Sequence, residues 1–500
     1  MSLMSEKADL DLMRKISRLE AGEPLRVVEL FAGCGGMSLG LHRAGYHLLG
    51  GVEINQKAIS TYARNFFNHC DEKTLTLHSE PHDITKFTPQ MFMRETLHAE
   101  HPENLVDVIV GGPPCQAFSR IGRAKLRAVK KNPQAFLEDE RSNLYLSYLA
   151  YVDFFRPLAV LIENVPDIMN YGGKNVAEEI ASSLEEIGYR CQYTILNAAY
   201  YGVPQLRQRF YLLALLDTLD IDPSFPEPTH FIQLPSGYES ARSVALKATP
   251  GLFSHYVNSP VPCKAQAPAI TAGEALEDLP PITAHLHEQV RRGSRSFDTL
   301  TPYIKRASLS EYAVKMRTWK GFESNEGVWD HVIRFLPRDY PIFARMRYDD
   351  QYPEAYNIAL ALFQEKLGEY AARTGEQVSE ESEVWKNLRK QTVPPYDPTK
   401  FPNKWWKLNP DQPSRTLTAH IGKDTYSHIH YDDSQARVIS VREAARLQSF
   451  PDGFRFTGPM NAAFAQIGNA VPPLQSYALG FHLKQLLLEA AKHRQEIVLF

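Results

Sequence analysis

The sequence lacks the features that mark secreted, membrane-spanning and metal-cluster proteins. Its five cysteines, Cys34, Cys70, Cys115, Cys191 and Cys263, are scattered and odd in number, and no two form a CxxC pair. That pattern offers neither a zinc site nor a disulfide framework, and it suits a reducing compartment. No apolar run is long enough to span a bilayer. The opening segment, "MSLMSEKADLDLMRKISRLEAGEP", is charged and has no apolar signal core. It reads as a short amphipathic helix docked on the surface. An excess of one charge is missing too. The net charge is −3 over 500 residues, so contact with a polyanion would need a local basic patch. No internal repeat and no low-complexity tract is visible.

What is present is an alternation of strand-like and helix-like segments between about residues 25 and 215. "RVVELFAG" reads as a buried strand, and "MSLGLHRAG" as a short helix closed by Gly45. "HLLGGVEIN", "LVDVIVGG", "PLAVLIENV" and "RQRFYLLALL" read as further strands. This rhythm predicts an α/β fold with a mostly parallel sheet covered on both faces. After about residue 217 a proline-rich stretch, "DTLDIDPSFPEPTHFIQLPSG", reads as a linker. All five tryptophans, Trp319, Trp329, Trp385, Trp405 and Trp406, follow it, which marks a second domain. Near the end, Ser440 and Glu443 form a capping box that opens a helix at "SVREAARLQ". "QIGNAVPPLQSYALGFHLKQLLLEAA" finishes in a long amphipathic helix.

Two stretches carry chemistry. "ELFAGCGGMSLG" follows a strand and opens a helix, so its glycines let a ligand approach backbone N–H groups. Glu53 ends the next strand, where a carboxylate can accept ribose hydroxyls, and Asp83 in "PHDIT" could meet an adenine amino group. Read alone, the motif fits a nucleotide cofactor or a tight structural turn, and it does not separate a dinucleotide from S-adenosylmethionine. "GGPPCQAFSR" places Cys115 just past a strand end on a loop stiffened by Pro113 and Pro114. A lone cysteine is more often structural. Glu163 at the end of "IENVP", with Arg207 and Arg209 two apart in "QLRQRF", gathers an acid and two cations at neighbouring strand ends, which favours a working thiol.

With these residues the chain resembles the cytosine-C5 DNA methyltransferases. The matching blocks are "FAGCGG", "GGPPCQAFS", "DERSNL", "IENVP", "YGVPQLRQRF", "PSRTLTAH", "REAARLQSFPD" and "QIGNAVPP", in the family's order. The resemblance implies an S-adenosylmethionine-dependent Rossmann-like sheet with a large inserted target-recognition domain. It divides the chain into an N-terminal helical extension (1–24), a catalytic and cofactor-binding domain (25–220), the recognition domain (221–455) and a C-terminal segment that completes the catalytic domain (456–500). Between "QLRQRF" and "PSRTLTAH" the recognition segment runs to about 200 residues, the size of a whole domain.

The resemblance also implies roles. Cys115 would attack C6 of cytosine, Glu163 would hold N3 and the exocyclic amino group, Arg209 would bind O2, and Arg207 would orient the site. Phe31, Gly33, Gly35, Glu53, Asp83, Ile84, Pro114, Leu144 and Asn469 would line the S-adenosylmethionine site. Duplex DNA would be held through Gln116, Ser119, Thr418 and a basic loop carrying Arg120, Arg123, Lys125 and Arg127. That loop has six basic residues from Arg120 to Lys131 and no acid. No metal is expected: His420, His428 and His430 with Asp424 fit no standard ligand spacing. The expected setting is the cytoplasm, at the nucleoid, as a monomer beside a cognate restriction nuclease or a defence system. Three rivals stand against this: a tRNA cytosine methyltransferase, for which the Cys-Phe-Thr motif is missing; a catalytically dead DNA-binding regulator; and a nicotinamide dehydrogenase, which has no use for the thiol loop.

Overall fold

The computed structural model describes residues 3–99, 105–114, 143–170, 175–235, 238, 254–287 and 299–498. Six strands, β1 (Arg26–Leu30), β2 (His47–Val52), β3 (Val108–Gly111), β4 (Ala159–Asn164), β5 (Tyr189–Asn197) and β6 (Gln208–Leu216), form one sheet in the order β2-β1-β3-β4-β6-β5. β1 runs parallel to β2 and β3, and β3 parallel to β4. β6 runs antiparallel to both β4 and β5. Val108, Ile109 and Val110 are consecutive yet fully buried, as are Ala159 and Val160. Consecutive burial means that both faces of the sheet are covered, which is why these strands read as unbroken apolar runs.

The helices that matter below are α1 (Leu3–Glu20), α2 (Gly36–Arg43), α3 (Gln56–Phe66), α4 (Asn143–Phe155), α5 (Val176–Glu185), α6 (Tyr352–Thr374), α7 (Val441–Leu447), α8 (Met460–Asn469) and α9 (Pro473–Val498). The chain divides into two compact units, residues 1–269 with 470–500, and residues 270–469. Residues 254–259 lie with the first unit because they extend its sheet edge: Tyr193 donates its N–H to His255 O at 2.9 Å, and Val257 donates to Tyr193 O at 3.0 Å.

In the first unit α9 seats on α2. A Cβ at Gly40 would overlap the Pro473 carbonyl, so only glycine allows the two backbones to meet. Ser476 Oγ donates to Met37 O at 2.7 Å, and Tyr46 OH to Gly480 O at 2.9 Å. α1 differs from a helix merely laid on the surface. Leu12, Ile16 and Leu19 enter the main core, while Leu10 and Met13 stay exposed. Between them Lys15 is 2% exposed, and its ammonium donates to the carbonyls of Val106, Phe155 and Arg156 at 2.8, 2.9 and 2.8 Å. Those of Phe155 and Arg156 end α4, whose last carbonyls have no partner of their own, and a cation there meets the helix dipole.

The second unit is held by buried ion pairs as well as by aromatic packing. Trp405 stacks on Tyr426 with ring centres 4.6 Å apart. Glu443 on α7 accepts from Arg437 Nη1 at 2.7 Å, and Ser440 and Glu443 close the expected capping box. Arg446 is fully buried between Asp278, at 2.9 Å, and Asp452, at 2.6 Å. Asp278 also takes Arg317 Nη2 at 2.6 Å. Removing one carboxylate from such a cluster leaves buried charge without its partner, which costs about 3–5 kcal/mol. Asp278→Ala is therefore expected to lower the urea midpoint of the second unit by that equivalent, and a midpoint unchanged within error would contradict the account.

Candidate active site

Among the described residues, Glu53, Glu163 and Arg209 sit at one edge of the sheet, outside the carboxyl ends of the parallel strands, where α/β sheets place their ligands. β1 hands over to a turn, Phe31–Gly35, in which three residues take left-handed backbone angles. Phe31 has φ 58°, Gly33 54° and Gly35 89°. Gly35 is required by packing, since a Cβ there would drive into the rings of Phe66 and Tyr62. At Gly33 a Cβ would meet nothing within 4 Å, so that position faces open space. Phe31 is half-buried against the core.

Glu53 stands just past β2, beside this turn. Its carboxylate accepts the Gly33 N–H at 2.9 Å and the Asn55 N–H at 2.7 Å. Its backbone carbonyl accepts from His82 N at 2.8 Å, which brings the "PHDIT" segment alongside. Asp83 there accepts from Thr85 N and Oγ1 at 3.0 and 2.7 Å, and Ile84 turns into the core. Sequence reasoning missed Ile54, which is 66% exposed directly after Glu53. Its signal was an apolar residue following a strand-end carboxylate, a place where a flat apolar group can be covered.

β3 delivers the thiol loop. A Cβ at Gly111 would strike the Leu30 carbonyl, and one at Gly112 would lie 3.2 Å from Glu163 Oε2, which explains the paired glycines. The Asn164 carboxamide donates to Pro113 O at 2.7 Å, pinning the loop to the end of β4. Asn164 is thus a positioning residue that the sequence reading passed over, although it stands in "IENVP". Pro113 is buried and Pro114 exposed. Cys115, Gln116, Ser119, Arg120, Arg123, Lys125 and Arg127 lie outside the described residues.

Glu163 and Arg209 meet across the β4–β6 pairing. Arg209 Nε lies 3.2 Å from Glu163 Oε1, and both side chains are largely buried. Burial raises the Glu163 carboxyl above the usual range, while Arg209 and Arg207 pull it back down. Arg207 is 1% exposed and donates from Nη2 to Ala470 O at 3.1 Å, so it ties this strand to the returning C-terminal segment. Burial and the nearby Arg209 push the Arg207 guanidinium down to about 9. The structure thus brings together Glu163, Arg207, Arg209 and the stem of the thiol loop, and separately Gly33 with Glu53. Leu144 packs partly buried in the first turn of α4.

In the second unit Thr418 is exposed at the head of the turn Ala419–Gly422. A Cβ at Gly468 on α8 would overlap the Thr418 carbonyl, which accounts for the glycine of "QIGNAVPP". Asn469 ends α8 and is exposed. Among the described residues no group of three or more His, Cys, Asp or Glu is placed to hold a metal. His428 Nε2 faces Arg415 O at 3.1 Å, and His430 Nδ1 accepts from Asp432 N at 3.0 Å.

The chain is similar to several known proteins. A protein of Oceanobacillus iheyensis named as type II methyltransferase M.OihORF3336P is 34% identical over 92% of this chain and 95% of its own. Type II methyltransferase M.AgeI of Thalassovita gelatinovora is 31% identical over 92% and 99%. The crystal structure of a DNA modification methyltransferase encoded within an E. coli prophage has the same fold, with a TM-score of 0.55 and 21% identity over 93% of this chain and 99% of that one. The family model described as C-5 cytosine-specific DNA methylase matches residues 25–485, and with that match the chain belongs to this family.

Proposed function

We propose that this DNA (cytosine-5-)-methyltransferase works on a cytosine turned out of duplex DNA, through a covalent bond between Cys115 and C6. The observation that carries the reading is the buried Glu163–Arg209 pair, set against Gly112 and Pro113 at the stem of the loop that leads to Cys115. C5 of cytosine is a weak nucleophile. Addition of the thiolate to C6 makes C5 enamine-like, C5 takes up the methyl group, and loss of the C5 proton and then of the thiolate restores the ring. Protonated Glu163 stabilises the electron density that gathers at N3, and Arg209 holds O2. A base inside the duplex cannot reach this edge, so it must be flipped.

The residues around Gly33 fit S-adenosylmethionine. Gly33 faces open space, Glu53 presents a carboxylate held by two backbone N–H groups, and Ile54 offers an apolar surface beside it. When bound, this group supplies an electrophilic methyl on a sulfonium. Glu53 would hold the ribose hydroxyls, Asp83 the adenine amino group, and Phe31 would set its ring towards the positive sulfur. Pro114, Leu144 and Asn469 would complete the enclosure. The relatives' names as type II methyltransferases support host DNA marking beside a cognate restriction nuclease. No described helix is long and apolar enough to cross a membrane. We place the enzyme in the cytoplasm as a monomer.

The decisive experiment is bisulfite sequencing of DNA from cells expressing the protein, which should show one methylated sequence and none in cells carrying Cys115→Ser. Duplex DNA with 5-fluorocytosine at the target should trap the wild type covalently, because fluorine replaces the proton that must leave. An adduct on Cys34, Cys70, Cys191 or Cys263, or normal turnover by the serine variant, would overturn the mechanism.

The cofactor reading is tested by calorimetry. Glu53→Ala and Asp83→Ala should each weaken S-adenosylmethionine binding by about 1–3 kcal/mol, the cost of losing a hydrogen bond to a charged group. Unchanged affinity in both variants would count against these roles.

The pH profile tests Glu163. A protonated acid serves turnover below its folded pKa, so kcat/KM should fall as pH rises through that raised value. Arg209 lowers this pKa, so Arg209→Met should move the alkaline limb to higher pH while lowering the maximum. A limb that stays in place, or moves to lower pH, would exclude Glu163 as its source. Glu163→Gln should lose about 100-fold or more in kcat, the usual scale for removing a general acid.

A further inference from the structure

The second unit carries one face whose make-up sets it apart, in "YDPTKFPNKWWKL" and "TAHIGKDTYSH". Phe401 is 53% exposed and Tyr396 40%. Single exposed apolar residues mean little, but two aromatics together beside a groove are a signal of contact. A groove of about 470 Å³ opens there, and Lys400, Phe401, Asn403, Lys404, Thr418 and His420 contribute to its walls. Asp424 is the acid on that lining, and Lys404 Nζ already neutralises it at 2.6 Å. The same ammonium lies 4.2 Å from the centre of the Tyr396 ring, which holds that ring in place. Lys400 and the neighbouring Lys423 are exposed and form no ion pair among the described residues. The exposed Asp397 feels the Lys400 charge, so Lys400, Lys404 and Lys423 stand against Asp397 and Asp424 and the face keeps a small positive excess.

Exposed ammonium groups, an exposed aromatic ring and an exposed carboxamide suit one partner above others. Phosphates take the lysines, which carry no sequence information. A carboxamide can pair with the N6 and N7 edge of adenine, and an apolar ring can meet the methyl of thymine, both in the major groove. Resting on the reading that the chain methylates duplex DNA, we infer that this face is where the second unit reads the sequence. Phe401 and Asn403 touch base edges, and Lys400 and Lys423 seat the flanking phosphates. An exposed loop residue such as Asn403 can be exchanged without loss of core packing, which lets the face be tuned to one sequence.

The test uses the full chain and duplexes built on the site found by bisulfite sequencing, with each base pair changed in turn. Lys400→Ala should weaken binding to all duplexes alike and reduce the slope of log K against log salt by about one. Phe401→Ala and Asn403→Ala should leave that slope nearly unchanged. They should shrink the preference for the cognate base by about 5- to 100-fold at one or two positions. Phe481→Ala, on an equally exposed ring of α9, should change neither quantity. An unchanged slope with unchanged site choice would overturn the inference and favour a protein partner for this face. A reduced slope without altered choice would remove the base-reading role. If the wild type methylates no cytosine, the activity reading fails instead, and the salt slope on a random duplex still decides whether this face binds DNA.

Discussion

The site depends on one reversal of direction. β6 runs antiparallel to its neighbours, so its first residues arrive at the same edge as the last residues of β4. That brings Arg209 against Glu163. A parallel strand of the same length would carry Arg209 to the opposite edge, about 25 Å away at the usual rise per residue. The carboxyl would then be buried without that counter-charge, and burial would raise it further above its usual range. Chain direction, a topological matter, thus sets the protonation chemistry.

Two influences oppose each other at this pair. Burial favours the neutral acid, while two guanidinium groups favour the anion. Burial is the larger influence, so the carboxyl stays above its usual range despite both cations. Arg207 contributes charge from a distance, and its hydrogen bond goes to the Ala470 carbonyl. It therefore ties the start of β6 to the returning chain. Asn164 does similar work for the thiol loop, through Pro113.

Much of this was legible in the sequence. The strands ending at Leu30, Gly111 and Asn164 announced themselves as apolar runs, because each is buried on both faces. β2, at one end of the sheet, is only partly buried but still reads as apolar. β5 did not. Its residues "YRCQYTILN" alternate exposed and buried positions at first and mix polar with apolar types, as befits a strand at the end of the sheet order. The antiparallel course of β6 was illegible too, since a buried strand reads the same in either direction. Asn164 and Ile54 were visible as letters, but their use depends on neighbours far away in sequence. Lys15 is a similar case: nothing local says that a lysine on an amphipathic helix will end beneath three carbonyls. In the second unit the buried arginines of α7 look like a solvated helix face, and only their distant aspartates reveal them as core.

The seat of α9 on α2 also orders events in time. Residues 470–498 are translated only after the whole of the second unit, yet they cover Met37 and Gly40, just past the cofactor turn. Until they arrive, α2 presents an open glycine-lined groove, and Arg207 lacks its bond to the Ala470 carbonyl. A chain in synthesis therefore holds a complete sheet with α2 uncovered while the whole second unit is made. The exposed α2 groove is the place where a chaperone would have most to hide.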